Sequence, residues 1–480
     1  MTLSRVLFLA ATAGHASSLR CRAPTEAVPL DKQLMGLSIE FGNAVDFFGD
    51  VGKPNEFSNN FSKTLLIAPK FRQFSTLECV VLNDPDDPKG SEAQSVIFNA
   101  RLFDVLTDNV PTGSPIIFGL NYRNNSLALA QQEIRAAYDH MDQSLIIAYE
   151  LGNEANLYGP YRPTNYGVDD YAHDMREWIP SLRCQLPSAN AKFQSPSFAG
   201  PELVINGMSI ARLVELGVPQ ALPEVEYFSI HGYPYNICSA NDAKKVDLRN
   251  FLNHTKTRTL IGEYGSEIAA VKRFGKKMHM GETGSVACHG KNGVSNTLGA
   301  ALWELDYALT GTVAGINRFF FHMGQGDFYY SMWEPVGTAA TPGPHINPTY
   351  YAMLFIADLV ADLKDPKVAP MPDLDTDTTV HYAIYDGKKL QKLVLLNLEY
   401  CSGTSQSSRR STTYGSARLL GKKLRVRRLT GANSAATTGV TWAGQSVDGN
   451  GSIIGAVKTE SVDDGRVSLF ASEAVIVERA

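Results

Sequence analysis

Leu145-Ile146-Ile147-Ala148-Tyr149-Glu150-Leu151 is an apolar run that stops at Gly152-Asn153-Glu154. So short a run, closed by a glycine, reads as a buried strand that delivers a glutamate where it ends. Lys277-Met278-His279-Met280 closes in the same way on Gly281-Glu282-Thr283. Parallel α/β barrels present catalytic groups from strand ends, and a pair of carboxylates placed there is the minimum equipment for cutting a glycosidic bond. Gly-Asn-Glu alone is a three-residue match that many chains contain by accident, so the surrounding sequence has to carry the reading.

Outward from these two runs, short apolar stretches alternate with helix-like segments from about Gly36 to Met323, the pattern of a parallel sheet or barrel. Strands read at Leu37–Phe41, Pro115–Leu120, Leu145–Leu151, Lys192–Ser195, Glu226–His231, Lys277–Gly281 and Asn317–His322. Helices read at Leu127 to His140 and at Asn296 to Thr310, which begins on a polar cap. Seven strands is one short of a barrel. The missing one belongs between Phe41 and Pro115, where Glu78 to Asn83 is a poor candidate followed by the charged loop Asp84 to Lys89. Beyond about Asp362 the chain alternates strands with polar turns (Thr379–Tyr385, Leu390–Leu398, Lys423–Leu429, Arg466–Val477), which reads as a β-sandwich. Ser402 to Ser416 is a solvated linker inside it.

With 480 residues and 44% hydrophobic content the chain can bury a large core and a smaller second one. The net charge of −5 and the absence of a long basic run argue against nucleic acid or a membrane surface as a partner. Arg5, the apolar stretch Val6 to Ala13 and the small residues of Gly14-His15-Ala16 have the form of a signal peptide over 1–16, too short to span a bilayer. Sequons at Asn60, Asn124, Asn253 and Asn450 agree with a secreted, extracellular glycoprotein. Six cysteines (Cys21, Cys79, Cys184, Cys238, Cys288, Cys401) allow about 15 pairings, among which sequence does not choose. No Cys-X-X-Cys or His-Glu-X-X-His spacing occurs, so neither a metal nor another cofactor is expected.

In a retaining glycosidase one carboxylic acid protonates the leaving oxygen, while a second carboxylate, roughly 5–5.5 Å away, attacks the anomeric carbon. Glu154 and Glu282 suit those roles, and Asn153 can hydrogen-bond the sugar 2-hydroxyl. Glu263 is a rival, since Leu260-Ile261-Gly262-Glu263 also reads as a strand end. Against it, Thr259 to Phe274 continues as a plausible helix into the seventh strand.

Gly281-Glu282-Thr283-Gly284-Ser285, Cys288-His289-Gly290 and Gly293 through Trp303 closely resemble fungal members of glycoside hydrolase family 79, which contains β-glucuronidases and relatives such as heparanase. The likeness continues in Arg318-Phe319-Phe320-Phe321-His322, Tyr330-Ser331-Met332-Trp333-Glu334-Pro335, Phe118-Gly119-Leu120-Asn121-Tyr122 and Gly152-Asn153-Glu154. The resemblance implies a (β/α)8 TIM barrel over 36–361 and a C-terminal β-sandwich over 362–480, with 17–35 as an N-terminal segment able to add a strand to the sandwich. Glu154 then looks like the acid/base on the fourth strand and Glu282 like the nucleophile on the seventh. Tyr233, His231, Glu40 and one of Tyr329 and Tyr330 are implied as substrate ligands, and the loop Ala287-Cys288-His289-Gly290 as a cover for the sugar carboxylate, with His289 or Lys291 as cations. For His231 and Glu40 a purely structural role weighs nearly as much.

Relatives carry an Arg-Val-Gly-Gly type second strand; here Phe71-Arg72-Gln73-Phe74-Ser75-Thr76-Leu77-Glu78-Cys79 stands in its place, so the second strand is expected to be atypical or missing. A missing strand would open the active-site wall. The leading expectation is a secreted retaining β-glucuronidase that removes terminal glucuronic acid, 4-O-methylated or not, from cell-wall glycans such as arabinogalactan. Alternatives are an endo-acting uronic-acid polysaccharide hydrolase, an inactive glycan-binding protein, or a coding sequence with a misread exon.

Overall fold

Eight short runs of buried residues pair in parallel and close on themselves. The computed structural model describes residues 26–60, 100–110, 114–187, 190–337, 341–403 and 409–480, and the backbone alone of two short strands at 5–7 and 74–75. The barrel strands are β1 (Met35–Ile39), β2 (Phe74–Ser75), β3 (Ile116–Leu120), β4 (Ile146–Leu151), β5 (Phe193–Phe198), β6 (Val225–Gly232), β7 (Lys277–Thr283) and β8 (Ile316–Met323). Each pairs with its neighbours in chain order and β8 returns to β1, so no sheet edge is left open.

The second strand is therefore present but only two residues long, so of the expected alternatives, atypical or missing, it is the first that holds. Phe74 and Ser75 pair with Leu37 and Ser38 of β1, and Phe74 with Ile116 of β3. Two residues cannot display the alternation by which a strand is recognised in sequence, which is why it reads as missing. Glu78 to Asn83, the candidate offered by sequence, lies outside the described residues, as do Cys21, Cys79 and the leader, apart from the backbone of Arg5–Leu7.

Helices cover the barrel. α1 (Leu127–His140) starts where the Ser126 hydroxyl accepts the Leu129 N–H at 3.3 Å and buries Ala130, Ile134 and Ala137 at helical spacing. α2 (Val168–Arg183) follows β4. α3 (His254–Glu263) and α4 (Gly265–Arg273) occupy the segment before β7, so Glu263 ends a helix with its side chain exposed and is no strand-end nucleophile. α5 (Leu298–Ala314), capped by Thr297, is buried on nearly every side, as is α6 (Tyr350–Val360). A helix apolar all round must lie between layers.

The layer beyond is the C-terminal domain. Its main sheet runs β9 (Pro366–Pro370), β10 (Thr379–Asp386), β11 (Lys389–Asn397), β13 (Glu473–Arg479), β12 (Leu424–Thr430), all antiparallel, with Val28–Pro29 pairing onto β9. Alternate residues of β10 serve two cores. Val380, Tyr382 and Ile384 pack with the barrel helices, whereas Ala383 and Tyr385 join Tyr414, Val467 and Leu469 of a second sheet built from Ser411–Gly415 and Arg466–Phe470. Burial on both faces explains the nearly continuous apolar run in this strand.

A buried polar cluster joins barrel and sandwich. His254 of α3 meets Asp306 of α5 at 2.8 Å and lies 4.0 Å from Asp375, which in turn holds His381 of β10 at 2.8 Å; the Tyr382 hydroxyl donates to Asp306 at 3.1 Å. Burial alone would lower the His254 pKa, but Asp306 and then Asp375 raise it above the ordinary value. Its stabilisation is therefore complete below about pH 6.5, the unfolded value, and is lost as pH rises through the folded one. A thermal melt should lose more in midpoint between pH 6 and 8 for the wild type than for His254→Asn; equal slopes would rule this contribution out.

Candidate active site

The carboxyl ends of β4, β6, β7, β8 and β1 converge on one cluster of ionisable side chains. Along β6, Tyr227, Ser229 and His231 alternate onto the inner face. β7 runs in step with it through Ser229↔His279 and Ile230↔Met280, then shifts so that His231 pairs with Glu282. The extra residue is Gly281, a bulge that turns Glu282 onto the inner face beside His231. Only glycine fits there, because a Cβ would fall within the van der Waals radius of Ser229 Oγ.

Glu154 arrives by a different device. After β4 the chain reverses through Gly152 (φ 72°), whose missing Cβ leaves room for Tyr122, and Glu154 itself sits in the left-handed region (φ 51°, ψ 43°). That conformation is costly for a glutamate, on the order of 1 kcal/mol, and strain of this kind concentrates at working sites. The Asn153 N–H donates to the Tyr158 hydroxyl at 3.1 Å, which braces the turn.

His231 binds the two carboxylates together. Its Nδ1 is 3.0 Å from Glu154 Oε1 and 3.8 Å from Glu282 Oε2, while Nε2 is 3.0 Å from Ser197 Oγ on β5. One nitrogen touching both caps the separation of the carboxylates at those two contacts together, short of most of the roughly 6.5–9.5 Å span of inverting pairs. Burial pushes the His231 pKa down, but the charge of Glu282, with the hydrogen bond and charge of Glu154, raises it to about 9. The ring is thus an imidazolium at neutral pH. For Glu282, burial works upward, but His322 and His231 and then the Tyr233 hydroxyl, donating at 2.8 Å to Oε1, hold it below the usual carboxylate range.

His322 closes the cluster from β8: Nδ1 lies 3.3 Å from Ser38 Oγ and 3.8 Å from Glu282 Oε2, and Nε2 lies 3.8 Å from Glu40 Oε1. Below, Gln194 takes the Glu150 carboxylate on one side and His279 Nδ1 at 2.7 Å on the other. The site thus holds an ionised carboxylate, a second one partly open to solvent, and an imidazolium in contact with both.

The sequence from 381 to 476 matches the glycosyl hydrolase family 79 C-terminal beta domain. The chain is 27% identical over 463 residues to a beta-glucuronidase of Aspergillus niger, covering 88% of this chain and 84% of that one. It is 26% identical over 489 residues to a beta-glucuronidase of Neurospora crassa, covering 87% and 85%. The chain is thus similar to glycoside hydrolase family 79 over most of its length. The fold of this glycoside hydrolase superposes, at a TM-score of 0.79 and 23% identity, on a 4-O-α-L-rhamnosyl-β-D-glucuronidase from Fusarium oxysporum, covering 95% of this chain and 98% of that one. A family 51 arabinofuranosidase from Xanthomonas axonopodis pv. citri shares the fold at a TM-score of 0.60 and 12% identity, covering 94% and 97%.

Of the residues singled out in sequence, the hydrolase brings Glu154, Glu282, His231, Tyr233 and Glu40 into one cluster, with Asn153 beside it. Tyr330 joins them: its ring lies 6.1 Å from that of Tyr233 and 5.6 Å from that of His322. Tyr329 turns its hydroxyl toward Asp327 at 3.4 Å instead. The His289 ring stacks on Phe328 at 4.0 Å, and its carbonyl accepts the Tyr329 N–H at 2.7 Å, so the loop after β7 packs against the loop after β8. Lys291 is no cation for the site, because its amine donates to the Ala243 and Val246 carbonyls at 2.9 and 2.8 Å. A disulfide joins Cys238 and Cys288, tying the loops after β6 and β7, while Cys184 and Cys401 have no disulfide partner among the described residues. His322 and Ser197 were missed as site residues. Alternation along Arg318, Phe320 and His322 places the histidine on the inner face and was the signal for it; nothing local marks Ser197.

Gly281→Ala should lower the thermal midpoint by an overpacking cost of about 1–3 kcal/mol. Adding Ser229→Ala should recover part of the loss in the same melt, and no recovery would place the clash elsewhere.

Proposed function

We propose that this chain is a secreted, retaining β-glucuronidase that removes terminal glucuronic acid, 4-O-methylated or not, from cell-wall glycans such as arabinogalactan. The observation that carries the reading is the pair Glu154 and Glu282, held together by one imidazolium and differing in environment. Glu282, kept ionised by His322, His231 and Tyr233, is the nucleophile that attacks the anomeric carbon. Glu154, about a third exposed and facing the cleft, gives its proton to the leaving oxygen and then takes one from water as the glycosyl-enzyme is hydrolysed. Asn153 and Glu40 hold sugar hydroxyls, and Tyr330 with the backbone of the 287–290 loop receives the sugar carboxylate. The names of the Aspergillus, Neurospora and Fusarium relatives support glucuronide as the glycone. The signal-peptide pattern supports secretion, and so does the Cys238–Cys288 disulfide, which suits an oxidising compartment. A closed barrel favours turnover over the inactive glycan-binding alternative, whose main argument was an open wall.

A glucuronic-acid-configured covalent probe should tag Glu282, read by peptide mass spectrometry; a tag elsewhere, or none on folded protein, sinks the assignment. Glu282→Gln should abolish turnover of every glucuronide. Glu154→Ala should cost roughly 10²–10⁴-fold on poor leaving groups but far less on good ones, which need little protonation. Tyr233→Phe removes one of the groups that keep Glu282 ionised, so the acid limb of the kcat/KM profile should move to higher pH. An unmoved limb would deny Tyr233 that role.

A further inference from the structure

Arg162 is a cation that the mechanism above does not use, only 8% exposed, in the loop between β4 and α2. Its Nη1 donates to the Arg123 and Tyr161 carbonyls at 3.0 and 3.2 Å and its Nη2 to the Tyr122 carbonyl at 2.5 Å. Nε has no hydrogen-bond partner among the described residues. The guanidinium lies over three tyrosine rings, 4.5 Å from the centroid of Tyr122 and 5.4 Å from those of Tyr158 and Tyr166. Carbonyls and ring faces thus hold the charge. A buried cation with a donor left over is a poor device for stability alone, so what it holds in place matters.

Two contacts lead from Arg162 to the turn Gly152-Asn153-Glu154. The first is Tyr122, which lies so close to Gly152 that a Cβ there would fall 2.7 Å from the Tyr122 Cβ. Its ring meets Trp178 edge-on at 4.8 Å and its hydroxyl donates to Asp174 at 2.5 Å, both on α2. The second is Tyr158, whose hydroxyl accepts the Asn153 N–H at 3.1 Å. Tyr158 also closes the short helical turn after Glu154, where the Leu157 N–H donates to the Glu154 carbonyl at 2.8 Å and the Tyr158 N–H to the Ala155 carbonyl at 3.2 Å. Tyr158 is therefore tied to the chain on both sides of Glu154. Turning Glu154 back from its left-handed conformation would swing everything after it and break the bond to Asn153.

We propose that Arg162 is a positioning residue for the acid/base: acting through Tyr158 and Tyr122, it clamps the turn from both flanks and keeps the Glu154 carboxyl on His231 and over the leaving oxygen. This rests on the glucuronidase reading and the acid/base role of Glu154. Arginine is required because one planar fork both reaches carbonyls on two loops and stacks on rings, whereas lysine brings the charge as a point without the plane. Since the clamp acts on the proton donor, loosening it slows departure of groups that need a proton and spares those that leave as stable anions.

Phenyl and 2,4-dinitrophenyl β-D-glucuronide separate these cases, because only phenoxide needs the proton. Wild type and Glu154→Ala come first, and Glu154→Ala should lose far more on the phenyl compound. Tyr158→Phe, which removes a single oxygen, and Arg162→Lys should then lower kcat/KM at least about tenfold on the phenyl glucuronide and less than about twofold on the dinitrophenyl one. If Arg162→Lys does not fold, Tyr158→Phe decides. Losses by the same factor on both substrates, no loss in Tyr158→Phe, or a folded Arg162→Lys that behaves as the wild type would overturn the clamp and leave the glucuronidase intact. A wild type that cleaves neither compound, or a Glu154→Ala that loses equally on both, would overturn the clamp together with the reading it rests on.

Discussion

Two glutamates can share a buried cleft only if something offsets their mutual repulsion, and here that is the imidazolium of His231. In a medium of low effective dielectric, two carboxylates this close would force one to stay protonated. A ring whose single nitrogen lies 3.0 Å from one and 3.8 Å from the other changes the balance, and the carboxylates in turn keep the ring charged. The three groups are therefore one electrostatic unit. His322 and Tyr233 then break the symmetry by siding with Glu282, whose anionic form they favour.

That unit depends on register. His231 and Glu282 face each other because β7 carries one residue more than β6 between the pairs Ile230↔Met280 and His231↔Glu282. Without the bulge at Gly281, strict alternation would send Glu282 out toward the helices and leave His231 beside a glycine. The left-handed backbone at Glu154 plays the same part on β4, swinging the side chain back over the cleft. Both departures from regular geometry sit at the strand ends, where a barrel can absorb them while its body stays paired.

The periphery holds these ends still. The small parallel pairing of Tyr235–Asn236 with Val286–Ala287 and the Cys238–Cys288 bond join the loops that follow His231 and Glu282. His289 then leans on Phe328, so the loop after β8 is set by the one after β7. On the far side, the sandwich covers α5 and α6, whose apolar surfaces would otherwise meet water, and the His254–Asp306–Asp375 contacts fix how it sits. The domain's contribution is thus to the barrel's outer wall, remote from the cluster at the strand ends.

Much of this was written locally in the chain. Apolar runs closed by Gly-Asn-Glu and Gly-Glu-Thr determined where two strands end and which glutamates stand there, because a buried strand and the loop after it differ in residue type over a few positions. The helix from Leu127 to His140 and the helical segment around Glu263 were equally legible, since each spans enough turns to show its period. Only the tertiary structure decided the rest. Phe74–Ser75 is a strand because β1 and β3 leave a slot for it, and two residues carry no period of their own. Tyr330 and not Tyr329 borders the cluster, and Cys238 meets Cys288, because loops far apart in sequence pack together. His322 and Ser197 matter through contacts with residues dozens to hundreds of positions away, and contacts at that range leave no trace in any local stretch of sequence.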